Sequence, residues 1–320
     1  MQAGPAASKA AISQARVWIP GGSYRMGSDV HYPEEAPARQ VKVDGFWIDR
    51  LPVTNLAFAA FVEATGWVTV AERPPDPSFY PDLPDDLRCP ASLVFQAPPE
   101  PVDGLNPMDW WRMTPGASWR CPLGPDSGLQ GLWQHPVVHV AWADVEAYAL
   151  WADADLPTET EWEAAARGGL ADAEFAWGDI FAPDGRMMAN TWQGQFPFEN
   201  LLEDGWARTS PVGSFPPNGH GLYDMIGNVW EWTRDWWSTG ASTIPSCCTA
   251  SKPGSGAHAS IDPDEGPAIP RRVLKGGSYL CAPSYCRRYR PAARHPQTID
   301  TSTGHIGFRC MVRPPRDARP

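Results

Sequence analysis

The sequence predicts a single α+β domain that is rich in loops and poor in regular secondary structure. Three observations predict it. The 320 residues include 36 prolines and 29 glycines, about a fifth of the chain against a usual level of roughly 12%, and both residues break helix interiors. Seventeen tryptophans exclude a disordered chain, because disordered chains are poor in aromatics. Three helical segments alternate with many short strand-like runs, with no tandem repeat and no internal boundary, which suits one α+β body better than a helical bundle.

The elements follow in order. Residues 1–16 are small and polar and predict a flexible tail; the domain is expected over 17–320. Val17-Trp18-Ile19 reads as a short strand stopped by Pro20-Gly21-Gly22, and Val41, Val43, Phe46 and Ile48 predict two more strands broken at Gly45. A helix is expected over 54–66, capped by Thr54 or Asn55, with Phe58, Phe61 and Val62 inward and Gly66 as its stop. Residues 73–136 form a long Pro-rich insertion without periodicity, which Trp110, Trp111, Trp119 and Trp133 should press onto the body. A second helix is expected over 144–154, with Asp144 as its cap. A third is expected over 158–168, opened by the capping box Thr158-Glu159-Thr160-Glu161 and closed by Gly168-Gly169. Residues 238–270 read as a surface insertion holding Cys247-Cys248. Strands near Arg272 and over 306–312 close the fold.

The formal net charge of −11 opposes a nucleic-acid binder, which normally carries a basic excess. No run of about 18 apolar residues is present, so no membrane span is expected. The absence of an apolar stretch before Val17 predicts no secretory signal, hence a cytoplasmic protein. Seven cysteines (Cys89, Cys121, Cys247, Cys248, Cys281, Cys286 and Cys310) are an odd count, unlike a disulfide framework.

Two segments carry chemistry. In Gly276-Gly277-Ser278-Tyr279-Leu280-Cys281-Ala282-Pro283-Ser284-Tyr285-Cys286, two cysteines five apart follow a Gly-Gly turn, and Arg287, Arg288, Arg290 and Arg294 beside them favour thiolate. Converging thiolates suit a soft ion such as Cu(I); the same spacing permits a redox disulfide or two buried cysteines acting as small hydrophobes. Asp224 and Glu231 bracket a Gly-containing turn of a kind that offers oxygens to calcium, or that only forms turn hydrogen bonds. Asn190 and Asp204 offer a second oxygen set. A Ser278, His295 or His305, Asp300 relay is weakly supported, because no G-x-S-x-G elbow is present.

The segments Gly22-Ser23-Tyr24-Arg25-Met26-Gly27-Ser28, Pro52-Val53-Thr54-Asn55, Leu156-Pro157-Thr158-Glu159-Thr160-Glu161-Trp162-Glu163, Gly227-Asn228-Val229-Trp230-Glu231-Trp232 and Gly307-Phe308-Arg309-Cys310 occur in this order. With the cysteine segment through Ala292-Ala293-Arg294, the chain resembles the bacterial-type formylglycine-generating enzyme (sulfatase-modifying factor) family from about Val17 to Arg313. The resemblance implies one irregular domain related to C-type lectins. It implies an oxidase that uses dioxygen to convert the cysteine of a Cys-x-Pro-x-Arg segment in an unfolded sulfatase to Cα-formylglycine. Cys281 and Cys286 match the pair that binds Cu(I), and Ser278, Tyr285 and Trp230 match the walls of the oxygen and substrate pocket. Asn190, Thr191, Asp204 and Trp206 match one structural calcium site; Asp224, Gly227, Val229 and Glu231 match a second. Ala149, Ala166 and Pro291 stand where secreted relatives carry structural cysteines, which leaves Cys310 without a family partner. Ala282 and His305 also replace pocket residues of the secreted enzymes. A monomer is expected, with no nucleic-acid or membrane partner. The alternatives within this reading are a non-catalytic lectin-like binding module and an iron-dependent, sulfoxide-synthase-like oxidase; the latter needs a histidine ligand set that the sequence does not display.

Overall fold

Short apolar runs broken by Pro and Gly give short strands, and eleven of them build the sheets among the described residues. The computed structural model describes residues 15–238, 256–264 and 266–314; Cys247 and Cys248 lie outside the described residues. Strand β1 (Arg16–Ile19) stops at Pro20. β2 (Gly22–Met26) and β3 (Arg39–Val43) form an antiparallel ribbon, and β4 (Phe46–Asp49) returns beside β1 with Ile19 opposite Phe46. The break between β3 and β4 requires glycine, because a Cβ on Gly45 would stand 2.4 Å from the Trp18 ring. On the other side of β4 runs β11 (Met311–Val312), so both ends of the described chain share one sheet whose Ile19, Phe46, Ile48 and Met311 are buried.

Helix α1 (Asn55–Thr65) begins where Thr54 Oγ1 accepts the Ala57 N–H at 3.2 Å. It ends at Gly66, which is left-handed at φ +67° and donates to the Val62 carbonyl. Its Phe58 and Phe61 pack edge-on to each other and against Tyr148 of α2 (Trp142–Trp151). Asp144 is not the cap of α2, which starts two residues earlier. Its carboxylate reaches back to the Ala141 N–H at 2.9 Å and also accepts from Trp67 Nε1 and Val70 N. An acidic side chain in the first turn satisfies donors that a preceding polar residue would otherwise serve, and that substitution misplaced the expected start. Helix α3 (Glu159–Ala166) carries the expected capping box, with Thr158 Oγ1 accepting from Glu161 N at 3.2 Å and Glu161 Oε2 accepting from Thr158 N at 2.8 Å.

The Pro-rich stretch is more regular than its composition suggests. Within it β5 (Ala91–Phe95) and β6 (Trp111–Pro115) pair antiparallel, and Trp110 and Trp119 are buried as expected of anchors. The remaining sheet has the order β10-β7-β8-β9, built from β7 (Trp230–Trp236), β8 (Arg271–Lys275), β9 (Arg294–Thr298) and β10 (Ile306–Gly307), with β10 parallel to β7. β9 contains Pro296 and shows no alternation, which hid it in the sequence; it is the edge strand, where a missing N–H is tolerated. The buried face of α3 lies on this sheet through Trp162, and Glu163 of α3 meets Lys275 of β8 at 2.9 Å, both fully buried. Among the described residues no helix is long and apolar enough to cross a membrane.

Candidate active site

The cysteine segment leaves β8 through Gly276 and Gly277, at φ +93° and +72°. Neither position admits a side chain: a Cβ on Gly276 would lie 2.8 Å from the Met225 carbonyl oxygen, and one on Gly277 2.8 Å from that of Arg288. The chain then coils tightly. The Cys281 N–H donates to the Ser278 carbonyl at 2.9 Å, and the Cys286 N–H to the Ala282 carbonyl at 3.0 Å. These turns bring the Sγ atoms of Cys281 and Cys286 to 3.3 Å. Five residues of sequence separation thus become a sulfur–sulfur contact.

The two sulfurs differ in setting. Cys281 is buried and receives the Ser278 N–H at 3.4 Å; burial, and then the neighbouring sulfur, push its thiol well above the usual range. Cys286 is partly exposed, and the hydrogen bond from Cys281, followed by the Arg288 guanidinium at 3.9 Å, holds its thiol below the usual range. The setting therefore favours thiolate at Cys286 over Cys281. Of the four arginines expected to favour thiolate, Arg288 is the one that reaches a sulfur. Arg287 pairs with Glu174 at 2.6 Å, Arg290 with Glu35 at 2.5 Å, and Arg294 with Glu159 at 2.8 Å. Arg288 is itself fixed by Glu34 at 2.7 Å and by the Tyr32 ring, 3.9 Å from the guanidinium. Glu34 and Tyr32 were not legible as site residues. The acidic Glu34-Glu35 pair was a signal of charge complementarity, but some 250 residues separate it from the arginines.

Ser278 is buried, and its Oγ accepts the Leu280 N–H at 3.2 Å, which leaves the hydroxyl hydrogen free to donate. Tyr285 is 45% exposed; its ring stacks on Phe196 at 4.5 Å and stands edge-on to Trp110. Phe196 in turn packs against Phe95 and Trp192, so an aromatic wall joins the β5–β6 ribbon to the cysteine segment. Trp230 is buried on β7 with its ring 5.7 Å from that of His295. No hydrogen bond or ring contact among the described residues joins Trp230 to either sulfur. The Ser-His-Asp relay is not assembled: Asp300 accepts the Tyr80 hydroxyl at 2.6 Å, and His305 Nδ1 is bonded to Thr303 Oγ1 at 2.7 Å. Among the described residues no three His, Cys, Asp or Glu side chains gather as a metal-binding group.

The first calcium set is gathered. The Asp204 carboxylate accepts from Thr191 N at 3.0 Å, Gln193 Nε2 at 2.9 Å and Trp206 N at 2.9 Å. Asn190 is buried, and its Oδ1 has no hydrogen-bond partner, which fits a ligand oxygen for a cation. This loop also supports the cysteines. The Trp192 N–H donates to the Cys281 carbonyl at 3.0 Å, and the Asn190 carbonyl accepts from Asn228 N at 2.8 Å. In the second set the Glu231 carboxylate is held by Arg309 at 2.8 Å and by Trp162 Nε1 at 2.7 Å, and Asp224 Oδ2 accepts from Gly213 N at 2.7 Å.

Residues 2–314 match the sulfatase-modifying factor enzyme 1-like domain. The chain is 53% identical over 299 residues to the formylglycine-generating enzyme of Mycobacterium tuberculosis, covering 92% of this chain and 97% of that protein. It is 46% identical to the formylglycine-generating enzyme of Thermomonospora curvata over 97% of each. The solved structure of PvdO from Pseudomonas aeruginosa superposes with a TM-score of 0.59 at 25% identity, over 93% of this chain and 94% of that one. Motif order, fold and overall identity thus agree, and the chain belongs to the sulfatase-modifying factor (formylglycine-generating enzyme) family.

Proposed function

We propose that this protein converts the cysteine of a Cys-x-Pro-x-Arg segment in unfolded sulfatases to Cα-formylglycine, with Cu(I) held by Cys281 and Cys286 and dioxygen as co-substrate. The observation that carries the reading is the sulfur pair at 3.3 Å, buried on one side and cation-balanced on the other, in a chain 53% identical to a formylglycine-generating enzyme. Two sulfurs in contact suit a soft monovalent ion, and metal binding would release the proton held between them. Bound there, Cu(I) would supply a soft centre for the substrate thiolate and for electron transfer to dioxygen.

The chain's own residues supply the rest. Arg288 balances the negative charge on Cys286. The Ser278 hydroxyl, with its hydrogen uncommitted, can donate to charge that develops on oxygen beside Cys281. Burial raises the Tyr285 phenol above its usual range, so it remains a donor at the rim while its ring rests on Phe196. The aromatic wall of Trp110, Phe196 and Tyr285 gives that side an apolar face. The stoichiometry follows from electron count. Oxidising the thiol carbon to an aldehyde with loss of sulfide releases two electrons, and dioxygen takes four. An external thiol pair supplies the other two and becomes a disulfide, with water as the second product. Asn190, Thr191, Asp204 and Trp206 are proposed to hold one structural calcium, which the unpartnered Asn190 Oδ1 supports.

The test is incubation of the Cu(I)-loaded protein with a Cys-x-Pro-x-Arg peptide, oxygen and a thiol, followed by mass spectrometry. A peptide aldehyde is expected from the wild type and none from Cys286→Ala. Absence of aldehyde from loaded wild-type protein rejects the oxidase reading in favour of a binding module.

A further inference from the structure

Two oxygen-rich loops stand beside the cysteine segment, and they differ in one respect. The loop that carries Asn190 and Asp204 contains a buried oxygen without a partner, and no cationic side chain among the described residues pairs with Asp204. The loop over 224–231 already holds a cation, through the Glu231 carboxylate and the Asp224 carbonyl. Arg309 is fully buried. Its Nε lies 3.0 and 2.8 Å from the two Glu231 oxygens, and its Nη2 lies 2.8 Å from Glu231 Oε1. Nη2 also donates to the carbonyls of Tyr223 at 2.8 Å and Asp224 at 3.2 Å, and Nη1 faces the carbonyls of Asp49 at 3.3 Å and Arg50 at 3.4 Å.

We infer that Arg309 is the resident cation of the 224–231 loop, and that the protein binds one calcium ion per chain, at Asn190, Thr191, Asp204 and Trp206. The inference rests on the calcium part of the reading above and limits it to one of the two sets. Most of the acceptor capacity of Glu231 is taken. Three N–H groups point at its two oxygens: Arg309 Nη2 at Oε1, Trp162 Nε1 at Oε2, and the single Nε–H of Arg309 shared between both. A carboxylate offers about four lone-pair sites, and the edge on which a metal would be held by both oxygens is filled by the guanidinium. Charge gives the same answer. Asp224 and Glu231 bring two negative charges, and Arg309 already answers one. A divalent ion would then sit beside a buried guanidinium, in a medium where like charges repel far more strongly than in water. Glu231 and Arg309 form a fork-to-fork pair, the geometry in which arginine competes best for a carboxylate. The carboxylate that would anchor a metal in the 224–231 loop thus carries a covalently attached cation instead.

The experiment is calcium counting on the full-length protein. Protein stripped with EGTA is titrated with calcium chloride by isothermal calorimetry, and the bound metal is checked by mass spectrometry after gel filtration. One ion per chain is expected for the wild type. Asp224→Asn keeps the acceptor oxygen for Gly213 N and should still bind one; Asp204→Asn should bind none. Two ions in the wild type, or loss of the single ion in Asp224→Asn, overturns the inference while leaving the oxidase reading intact. No calcium at all in the wild type overturns both the inference and the structural-calcium proposal. The peptide aldehyde assay on the same samples reports the catalytic reading separately. The wild-type count decides the matter even if Asp204→Asn fails to fold.

Discussion

The Sγ of Cys286 lies 3.3 Å from that of Cys281 and 3.9 Å from Nη1 of Arg288, so the two sulfurs of the pair are chemically unequal. Cys281 is the buried sulfur, with its thiol pushed up by burial, and Cys286 the more exposed one, with its thiol held down by the Cys281 hydrogen bond and Arg288. In brief treatment with iodoacetamide at neutral pH, Cys286 should be alkylated well before Cys281, as read by peptide mass spectrometry. Its rate should fall only as the pH drops below neutral, where the lowered thiol takes up its proton. Equal labelling of the two would contradict the asymmetry.

Arg288 should set that reactivity. Arg288→Gln removes the cation and also leaves Glu34 without its 2.7 Å partner. The pH midpoint of Cys286 alkylation should then rise, whereas Arg288→Lys should restore most of the shift. An unchanged midpoint in the glutamine variant would show that the hydrogen bond from Cys281 is sufficient alone.

Calcium removal should loosen the cysteine segment from behind. The strand of contacts runs from the Asn190 carbonyl to Asn228 N at 2.8 Å, from the Asn228 carbonyl to Tyr279 N at 3.0 Å, and from Trp192 N to the Cys281 carbonyl at 3.0 Å. Hydrogen exchange at Trp192 and Tyr279 should accelerate in EGTA and slow again on adding calcium. Identical exchange with and without calcium would separate the metal from the site.

Glu163 lies between two buried cations, Lys275 Nζ at 2.9 Å and Arg167 Nη2 at 2.7 Å. Glu163→Ala leaves both without their main counter-charge. Breaking a buried pair in this way costs about 3–5 kcal/mol, so the variant should show a clearly lowered denaturation midpoint in urea. A change below about 1 kcal/mol would mean that water or Glu159 compensates.

His139 should make stability sensitive to acid. It is fully buried, with Nε2 2.9 Å from the Pro122 carbonyl and Nδ1 2.7 Å from Ser92 Oγ, and burial favours the neutral ring. Burial lowers its pKa from 6.5 to about 4. The unfolded chain therefore binds the proton first, and the contribution of neutral His139 is complete above pH 6.5 and is lost as pH falls toward 4. The loss is on the order of 3 kcal/mol over that window. His139→Gln should flatten the dependence of unfolding free energy on pH between those limits; an unaltered slope would assign the acid sensitivity elsewhere.

Much of this was readable from local chemistry. Thr54, Thr158 with Glu161, and Gly66 marked helix ends because caps act within four residues, and Cys281 with Cys286 stood out because their spacing and Gly-Gly lead are local. Asp144 misled because a carboxylate in the first turn serves the same donors as a true cap. β9 was hidden because Pro296 on an edge strand follows no alternation. The ordered motifs determined the family and named the sulfur pair. Tertiary structure alone decided which arginine meets Cys286, that Glu34 and Tyr32 hold it, and that Arg309 fills the loop around Glu231. Those choices join residues up to 260 apart in sequence. Charge and hydrogen-bond partners act through distance in space, which no spacing along the chain records.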